Sequence, residues 1–342
     1  MKILIITQSV DLNNPVLGFF HRWIEEFSKK FEFVTVICLE KGEYNLPLNT
    51  KVLSLGKGIK KSRMMYLWNF YKYIWQERKN YDAVFVHMNQ EYVLLGWKIW
   101  LLLGKKIYMW RNHPSGSVLT GIASMFCKKI FCTSRFSYTA KYKKTVIMPV
   151  GIDTNLFKPD SAISRIKNSI LFLGRIAPVK NLGLLIDTVS KITDIPWTLT
   201  VVGNPLSKDE LYYKSLKEKC LPLGIESKVN FQKGLQNNQT PNIYSANEIF
   251  INLSPSGMYD KTIFEAMLCG CVVLTSNENL SGKIDERLIL NQKNSLEISI
   301  KIKNALSLSD EEKEKIISEN KKFAEIQSLV MLGDKLYKEM NI

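Results

Sequence analysis

Short apolar runs alternate with amphipathic stretches along the whole chain. Runs of strand length, rich in β-branched residues, recur in the first half at Ile3 to Ile6, Phe33 to Cys38, Ala83 to Val86, Ile107 to Trp110, Ile130 to Cys132 and Val146 to Met148. The second half repeats the pattern at Ile170 to Leu173, Leu199 to Val202, Val229 to Phe231, Ile249 to Leu253 and Cys271 to Leu274. Helical segments lie between most of these runs. Such alternation predicts βαβ units, and therefore parallel sheets with helices on both faces.

The length of the chain predicts two such domains. Its 342 residues, 46% of them hydrophobic, exceed what one ordinary core organises. The polar stretch from Gly151 to Lys167 is the expected linker. We therefore predict domains at residues 1–158 and 166–327, with a C-terminal helix at about 328–342 that packs back onto the first domain.

Positive charge is concentrated in the first half. Residues 1–150 carry 23 Lys and Arg against nine Asp and Glu, a net charge of +14 out of +15 for the whole chain. Such a surface suits nucleic acid, anionic lipid headgroups or a phosphate-bearing substrate. The sequence contains no recognisable nucleic-acid readout element, so nucleic acid is not an expected partner.

The sequence also predicts a cytoplasmic location. The apolar run from Val93 to Leu103 has eleven residues and contains Lys98, whereas a membrane-spanning helix needs roughly 20 apolar residues. Met1 and Lys2 lead directly into the first strand-like run, and no cleavage-like site follows it.

One amphipathic stretch of the basic half, Ile59 to Asn80, has two interpretations. It is either a helix packed on a sheet, which is the commoner case, or an interfacial helix on an anionic membrane. Its apolar face comprises Met64, Leu67, Trp68, Tyr71, Ile74 and Trp75, and its polar face Lys72, Gln76 and Lys79. The cations around it are Lys60, Lys61, Arg63, Arg78 and Lys79. Each would contribute about 1 kcal/mol near an anionic leaflet, so the inner face of the cell membrane is an expected partner surface.

The segment from Ser254 to Ser276 reads as a loop, a helix and a strand. An apolar strand ends at the loop, Asp260 can cap a helix that starts near Lys261, and Gly270 ends that helix. A helix N-terminus offers free N–H groups and the positive end of a dipole, which suits a diphosphate. Glu265 lies one turn into the helix, beside the expected ligand.

A second loop at a strand's carboxyl end carries Arg175 and Lys180. Ligands bind at this edge of open α/β sheets, and the two cations are placed to contact the same phosphates. The alternative is a pair of solvated cations in a surface loop.

Taken in order, these segments resemble family 4 of the glycosyltransferases, which use nucleotide sugars and have the two-domain GT-B fold. The matching segments are Met148 to Pro159, Gly174 to Asp187, Val201 to Gly203 with the following Glu210 and Leu211, Tyr244 to Ser256, and Phe264 to Gly270. The resemblance covers most of the chain. It implies an α/β GT-B fold with two Rossmann-like parallel-sheet domains facing across a cleft, the acceptor on the first and the donor on the second.

The resemblance also implies roles for single residues. Arg175 and Lys180 would neutralise the leaving nucleoside diphosphate, and Glu265 would accept hydrogen bonds from the ribose hydroxyls. His113 would lie beside the transferred sugar, with His87 as its rival and a core or loop histidine as the alternative to both. The other expected donor contacts are Gly18, Gly174, Gly203, Asp260, Lys261 and Thr262. Gly18 has an equally good interpretation as a helix-start glycine.

The sequence departs from the family pattern at one position. The family usually has a glutamate eight residues before the one that matches Glu265, and here that residue is Gly257. Donor choice and activity depend on what replaces the lost carboxylate. Asp260 is a candidate substitute and Lys261 a candidate phosphate contact, although a helix cap and a surface lysine explain them equally well.

We therefore expect a glycosyltransferase that moves a sugar from a nucleoside diphosphate sugar to a hydroxyl acceptor. The acceptor is expected to be lipid-linked, in surface polysaccharide or glycoconjugate assembly, and retention of anomeric configuration is implied by the resemblance alone. No Asp-x-Asp motif occurs, so no metal and no cofactor are expected. The alternatives are a sugar-nucleotide epimerase or hydrolase, and a degenerate GT-B protein that only binds nucleotide sugars.

Overall fold

The computed structural model describes residues 1–14, 17–58, 62–255 and 257–341. The chain forms two compact units. The first comprises Met1–Gly151 together with the C-terminal segment from Leu329, and the second comprises Ile152–Ser328.

Each unit is built on one parallel sheet. The seven strands found in the described part of the first unit are β1 (Ile3–Val10), β2 (Val34–Lys41), β3 (Thr50–Ser54), β4 (Ala83–His87), β5 (Lys106–Trp110), β6 (Lys129–Cys132) and β7 (Thr145–Ile147), in the order β3-β2-β1-β4-β5-β6-β7. The second sheet has five, β8 (Ile166–Leu173), β9 (Thr198–Val202), β10 (Val229–Gln232), β11 (Asn247–Asn252) and β12 (Val272–Thr275), in the order β10-β9-β8-β11-β12. Eleven of these strands overlap the predicted runs.

The strand that the sequence did not predict is β3, at the edge of the first sheet. It pairs with β2 alone, and its side chains are exposed or only partly buried. An edge strand needs no continuous apolar run, because one side of it faces solvent. The pattern of hydrophobic residues therefore did not predict β3.

Helices connect the strands. In the described ranges they are α1 (Phe19–Ser28), α2 (Arg63–Gln76), α3 (Gln90–Leu102), α4 (Val118–Phe126), α5 (Leu182–Val189), α6 (Glu210–Cys220), α7 (Thr240–Ser245), α8 (Lys261–Leu268), α9 (Ser295–Leu306), α10 (Asp310–Glu325) and α11 (Leu329–Asn341). Helix α11 packs beside α1 on one face of the first sheet, and the hydroxyl of Tyr108 donates to the carbonyl of Met340. Helices α2, α3 and α4 share the core on the other face. Among the described helices, none has both the length and the hydropathy of a membrane span.

Helix α2 packs on the sheet, but not with the apolar face that the packed-helix interpretation assigned to it. Its buried residues are Asn69, Phe70 and Ile74. Of the six residues assigned to the apolar face, Ile74 alone is buried, and the others, Met64, Leu67, Trp68, Tyr71 and Trp75, are exposed. The physical reason is that Phe70 and Ile74 fill the core beside Trp100, while the Asn69 side chain donates to the Leu55 carbonyl. Ile59, Lys60 and Lys61, the predicted start of this helix, lie outside the described residues.

The segment predicted as a linker packs in part against the second unit. Phe157 is buried, and its ring lies 6.3 Å from that of Tyr244. The amide of Asp160 donates to the Ser245 hydroxyl, and β8 already begins at Ile166. The first unit therefore ends at Gly151, earlier than the predicted boundary at residue 158.

Candidate functional site

Three loops meet at the carboxyl edge of the second sheet, where open α/β sheets bind ligands. The loops after β8 and β9 are in direct contact: a Cβ atom on Gly203 would lie 1.9 Å from the carbonyl oxygen of Gly174. Any side chain at Gly203 would therefore push the two loops apart. Gly174 and Gly203, both predicted donor contacts, share this close approach, which explains why residue 203 must be glycine.

The loop after β8 is joined to the loop after β11 by Lys180. Its Nζ lies 2.5 Å from Oδ2 of Asp260 and 3.0 Å from the hydroxyl oxygen of Ser254. Ser254 in turn donates to the same Asp260 oxygen at 3.2 Å. The structure thus brings together two residues that are 80 positions apart in sequence.

The Lys180–Asp260 pair is an internal ion pair. Burial raises the pKa of Asp260, but the Lys180 ammonium and the donors Asn252 and Thr262 outweigh burial and hold that pKa below its ordinary value. The carboxyl of Asp260 is therefore ionised, and it is already engaged by protein donors. A substitute role for Asp260 toward the donor sugar stays a prediction, and the geometry favours its positioning of Lys180.

Asp260 also caps helix α8, as predicted. Its side chain accepts from the amide of Thr262, the second residue of the helix. The Asn252 amide donates both to Asp260 at 3.1 Å and to the Thr262 hydroxyl at 3.3 Å. The N-terminus of α8 is thereby fixed against the end of β11. Its remaining N–H groups and dipole suit an anion.

Glu265 lies one turn into α8 and is buried. Its carboxylate accepts from the hydroxyl of Tyr244 at 3.1 Å and from the amide of Asn237 at 3.4 Å. Burial raises the pKa of Glu265 to about 7, although Lys261 and Tyr244 pull that pKa down. The carboxyl is therefore poised to gain or lose a proton near neutral pH, and hydroxyl donors from a ligand would favour its ionised form.

Arg175 contrasts with Lys180. It is exposed, and within the described residues it makes no hydrogen bond or ion pair. Its guanidinium is therefore available for an anionic ligand, since Arg presents several donors in a planar fork. Lys261, the first residue of α8, is half-buried and acts electrostatically on Glu265.

Gly257, which stands where the family has a glutamate, has a φ of +136°. Residues with a side chain rarely adopt this backbone conformation. The backbone conformation of the loop at this position therefore favours the glycine that this chain has over the glutamate of the family. Ser256, also part of the predicted loop, lies outside the described residues.

The predicted residues of the first unit lie in different environments. His113 is exposed after β5, with Nδ1 3.0 Å from the Ser115 amide nitrogen. His87 is buried at the end of β4 and stacks on Phe20, with 3.9 Å between the ring centroids. Burial makes His87 a core residue, while the catalytic role of His113 stays a prediction.

Gly18 precedes α1. A Cβ atom there would lie 2.7 Å from the Asn14 carbonyl oxygen, so the tight turn into the helix requires glycine. This contact explains the residue without a ligand. Its contact with the donor also stays a prediction.

Sequence reasoning missed the partners of the predicted residues. Tyr244, Asn237, Asn252 and Ser254 hold Glu265 and Asp260 in place, yet none was assigned a role. Asn252 carried a usable signal, because a polar residue ends an otherwise apolar, buried strand. The described residues contain no cluster of three metal-ligating acidic, cysteine or histidine side chains. Whether the reaction needs a metal is still a matter of prediction.

Two α/β units, each built on one parallel sheet, are the architecture of GT-B glycosyltransferases. The chain belongs to the family of glycosyl transferases group 1, whose model matches residues 153–323. The match spans the candidate site residues of the second unit and confirms the predicted membership in a glycosyltransferase family. The assignment to family 4 stays a prediction.

Two curated relatives are similar in sequence. One is a mannosylfructose-phosphate synthase of Agrobacterium fabrum, 32% identical over an alignment of 147 residues that covers 39% of this chain and 32% of that protein. The other is the amylovoran biosynthesis glycosyltransferase AmsD of Erwinia amylovora, 27% identical over 204 residues, covering 54% of this chain and 56% of that protein. The matches thus span about a third and just over half of these relatives.

The fold is similar to a solved structure over its full length. The crystal structure of HepE from Anabaena in complex with UDP has a TM-score of 0.81 at 18% identity and covers 100% of both chains. This likeness confirms the predicted GT-B fold. At this level of identity it shows the fold alone.

Proposed function

We propose that this protein transfers a sugar from a nucleoside diphosphate sugar to a hydroxyl acceptor. The observation that carries the proposal is the cluster at the N-terminus of α8. There Lys180, Ser254 and Asp260 bind one another within the segment that matches the glycosyltransferase family. The crystallised neighbour HepE binds UDP, which supports a nucleoside diphosphate as the ligand class.

The arrangement suits the charge changes of the reaction. Breaking the bond between sugar and phosphate builds negative charge on the leaving diphosphate, and preorganised cations and N–H groups stabilise charge where it develops. Arg175 is available for this task, and the N-terminus of α8 adds its dipole. Lys180 contributes through a position fixed by Asp260. Glu265, held by Tyr244 and Asn237, would accept from the ribose hydroxyls.

The finer parts of the proposal concern mechanism and pathway. We propose a retaining transfer of the family 4 type, with His113 beside the transferred sugar and no metal. We further propose a lipid-linked acceptor in polysaccharide or glycoconjugate assembly at the inner face of the cell membrane. The relative AmsD acts in amylovoran biosynthesis, which supports this setting.

A second candidate function is a nucleotide-sugar binding protein without transfer activity. The positive φ of Gly257 favours it, because the loop is shaped for glycine where the family has a sugar-contacting glutamate. A sugar-nucleotide epimerase or hydrolase is the enzymatic rival. A binding protein would leave the donor unchanged, and an epimerase or hydrolase would convert the donor without an acceptor.

The test is to screen nucleotide sugars by thermal shift and then to incubate each binder with and without hydroxyl acceptors. A ligand at a hundred times its dissociation constant stabilises the fold by roughly 2.7 kcal/mol, which is readily detected. Transfer predicts donor consumption that requires an acceptor. Consumption without an acceptor would indicate the epimerase or hydrolase, and binding without consumption the degenerate binder.

A further inference from the structure

The outward side of helices α2, α3 and α4 is unusually apolar for an exposed surface. We call it the three-helix face and define it by the exposed side chains of Arg63–Gln76, Gln90–Leu102 and Val118–Phe126. The three helices share one core on the same side of the first sheet. Their outward faces therefore look in the same direction, and exposed residues on them belong to one surface.

Helix α2 contributes a stripe of large apolar side chains at helical spacing. Trp68 is 59% exposed and Trp75 is 53% exposed. Met64, Leu67 and Tyr71 extend the stripe along the same side of the helix. The packing demands of the sheet do not explain these residues, because α2 buries Phe70 and Ile74 instead.

Helices α3 and α4 also carry exposed apolar side chains. On α4, Val118 is 79% exposed and Met125 is 72% exposed, and Leu119 and Ile122 are exposed between them. Leu101 and Leu102 are exposed at the end of α3. Single exposed apolar residues are ordinary, but a set of this size on adjacent helices marks an interaction surface.

The charge of this face is positive. Helices α2 and α4 contain no acidic residue, and α3 contains only Glu91, in its first turn. Cations lie among the apolar side chains: the Nζ of the exposed Lys72 is 4.9 Å from the Trp68 ring centroid, and the guanidinium of the half-buried Arg78 is 4.6 Å from that of Trp75. Aromatic rings beside cations suit a boundary between headgroups and hydrocarbon.

More cations lie just beyond the ends of the helices. Lys105 and Lys106 follow α3, and Lys128 follows α4. The neighbouring Lys106 lowers the pKa of Lys128, so the ammonium groups of Lys106 and Lys128 are close enough to repel each other. An anionic partner would relieve that repulsion.

We propose that the three-helix face binds the surface of an anionic lipid bilayer. Apolar side chains enter the headgroup region while the surrounding Lys and Arg contact anionic headgroups. A second copy of this chain is the less suitable partner, because a two-fold contact would set the same cations against one another. This inference deepens the proposed membrane location and depends on it for its biological role. Vesicle binding, however, is measured without any sugar transfer.

The test is co-sedimentation of the full chain with vesicles of phosphatidylcholine alone or mixed with anionic phosphatidylglycerol. We expect binding to the mixed vesicles that weakens as salt is added. Changing both Trp68→Ser and Trp75→Ser should reduce the partition coefficient at least about tenfold. Changing both Lys72→Gln and Arg78→Gln should reduce it by roughly 25-fold, because each cation contributes about a factor of five.

The matched control changes the second unit. Leu211, which is 84% exposed on α6, becomes Ser, and the exposed Lys214 becomes Gln. This control should bind within about twofold of the unchanged protein. Thermal melting and transfer to a soluble acceptor show whether each variant is folded and whether the proposed activity is intact. Equal vesicle binding by the tryptophan variant and the control would overturn the proposal. So would a stable dimer in solution that the tryptophan changes dissociate.

Discussion

The two units differ in where their chemical groups lie. The first carries a net charge of +14 in residues 1–150, whereas the rest of the chain carries only +1 of the total of +15. In the second unit the candidate site consists of buried and half-buried side chains, and Lys180, Asp260 and Glu265 each have protein partners. In the first unit the notable groups, including Trp68 and Trp75, are exposed.

This difference indicates a division of labour. A preorganised network costs little reorganisation when charge develops, which is what a leaving diphosphate needs. An exposed face of mixed aromatic and cationic side chains is adapted to a large, fluid partner rather than to one small ligand. Specific chemistry is therefore expected from the second unit and location from the first.

Removing the guanidinium of Arg175 should produce the largest of the expected effects, a loss of turnover. Arg175→Ala is expected to lower turnover about 10² to 10³-fold, because the guanidinium would stabilise charge on the leaving diphosphate. Steady-state kinetics with the best donor and acceptor measure this. Arg78→Ala on the first unit is the matched control and should leave turnover on a soluble acceptor unchanged. Equal turnover of the Arg175 variant would contradict a catalytic role for this residue.

The protonation of Glu265 should give the next largest effect, on stability. The pKa of its carboxyl is raised from 4.5 to about 7 in the folded state by burial. The stability it contributes is therefore fully present below pH 4.5 and is lost as the pH rises through 7.

Denaturant unfolding of the protein and of Glu265→Gln at several pH values measures this contribution. Glutamine does not titrate, so the free energy of unfolding of the variant relative to the original should rise by about 3 kcal/mol between the two limits. A pH-independent difference would show that Glu265 is not the titrating group. Tyr244→Phe should raise the pKa of Glu265 further, since the Tyr244 hydroxyl donates to this carboxylate.

Asp260 has two roles, as the cap of helix α8 and as the ionic partner of Lys180, and removing them one at a time should have a smaller effect on the free energy of unfolding. Asp260→Asn keeps a good helix cap but removes the ionic partner of Lys180, and should cost about 2 kcal/mol of unfolding free energy. Asp260→Ala should cost about 1 kcal/mol more, because the cap is lost as well. Chemical denaturation of both variants gives the comparison. Identical costs would mean that the cap contributes nothing.

The smallest effect is expected at Gly257. With φ at +136°, Gly257→Ala should reduce the free energy of unfolding by about 1 to 2 kcal/mol. Gly257→Glu, which restores the family's residue, should bear the same strain and give no gain in turnover. A Glu variant that is both as stable as the original and faster would show that the loop accepts a side chain. Gly224→Ala, at another positive φ with no atom near its Cβ, is the control for backbone strain alone.

The fold was predictable from sequence where burial was complete. Strands such as β11 and β12 are buried on both faces, so they appear as continuous apolar runs. Strand β3 was missed because an edge strand can be polar. The first unit ends at Gly151 rather than at residue 158, because the polar stretch that follows contains one buried aromatic residue, Phe157, and packs in part on the second unit.

The candidate site was predictable only in its local parts. The cap by Asp260 follows from residues that are adjacent in sequence, and the structure shows it. The bond between Lys180 and Asp260 joins residues 80 positions apart, which no local pattern reveals. Of the two interpretations of α2, the one that packs its predicted apolar face on the sheet was wrong for a related reason: a helix with apolar residues on most sides does not show which of them meets the sheet.

The central claim is that the carboxyl edge of the second sheet binds a nucleoside diphosphate through Arg175 and the N-terminus of α8. Isothermal titration calorimetry with UDP, GDP, ADP, CDP and TDP tests it most directly. We expect that at least one of them binds, and that Arg175→Ala weakens this binding at least about tenfold while Leu211→Ser does not. If none of the five binds, or if the Arg175 variant binds as tightly as the original, the account is contradicted.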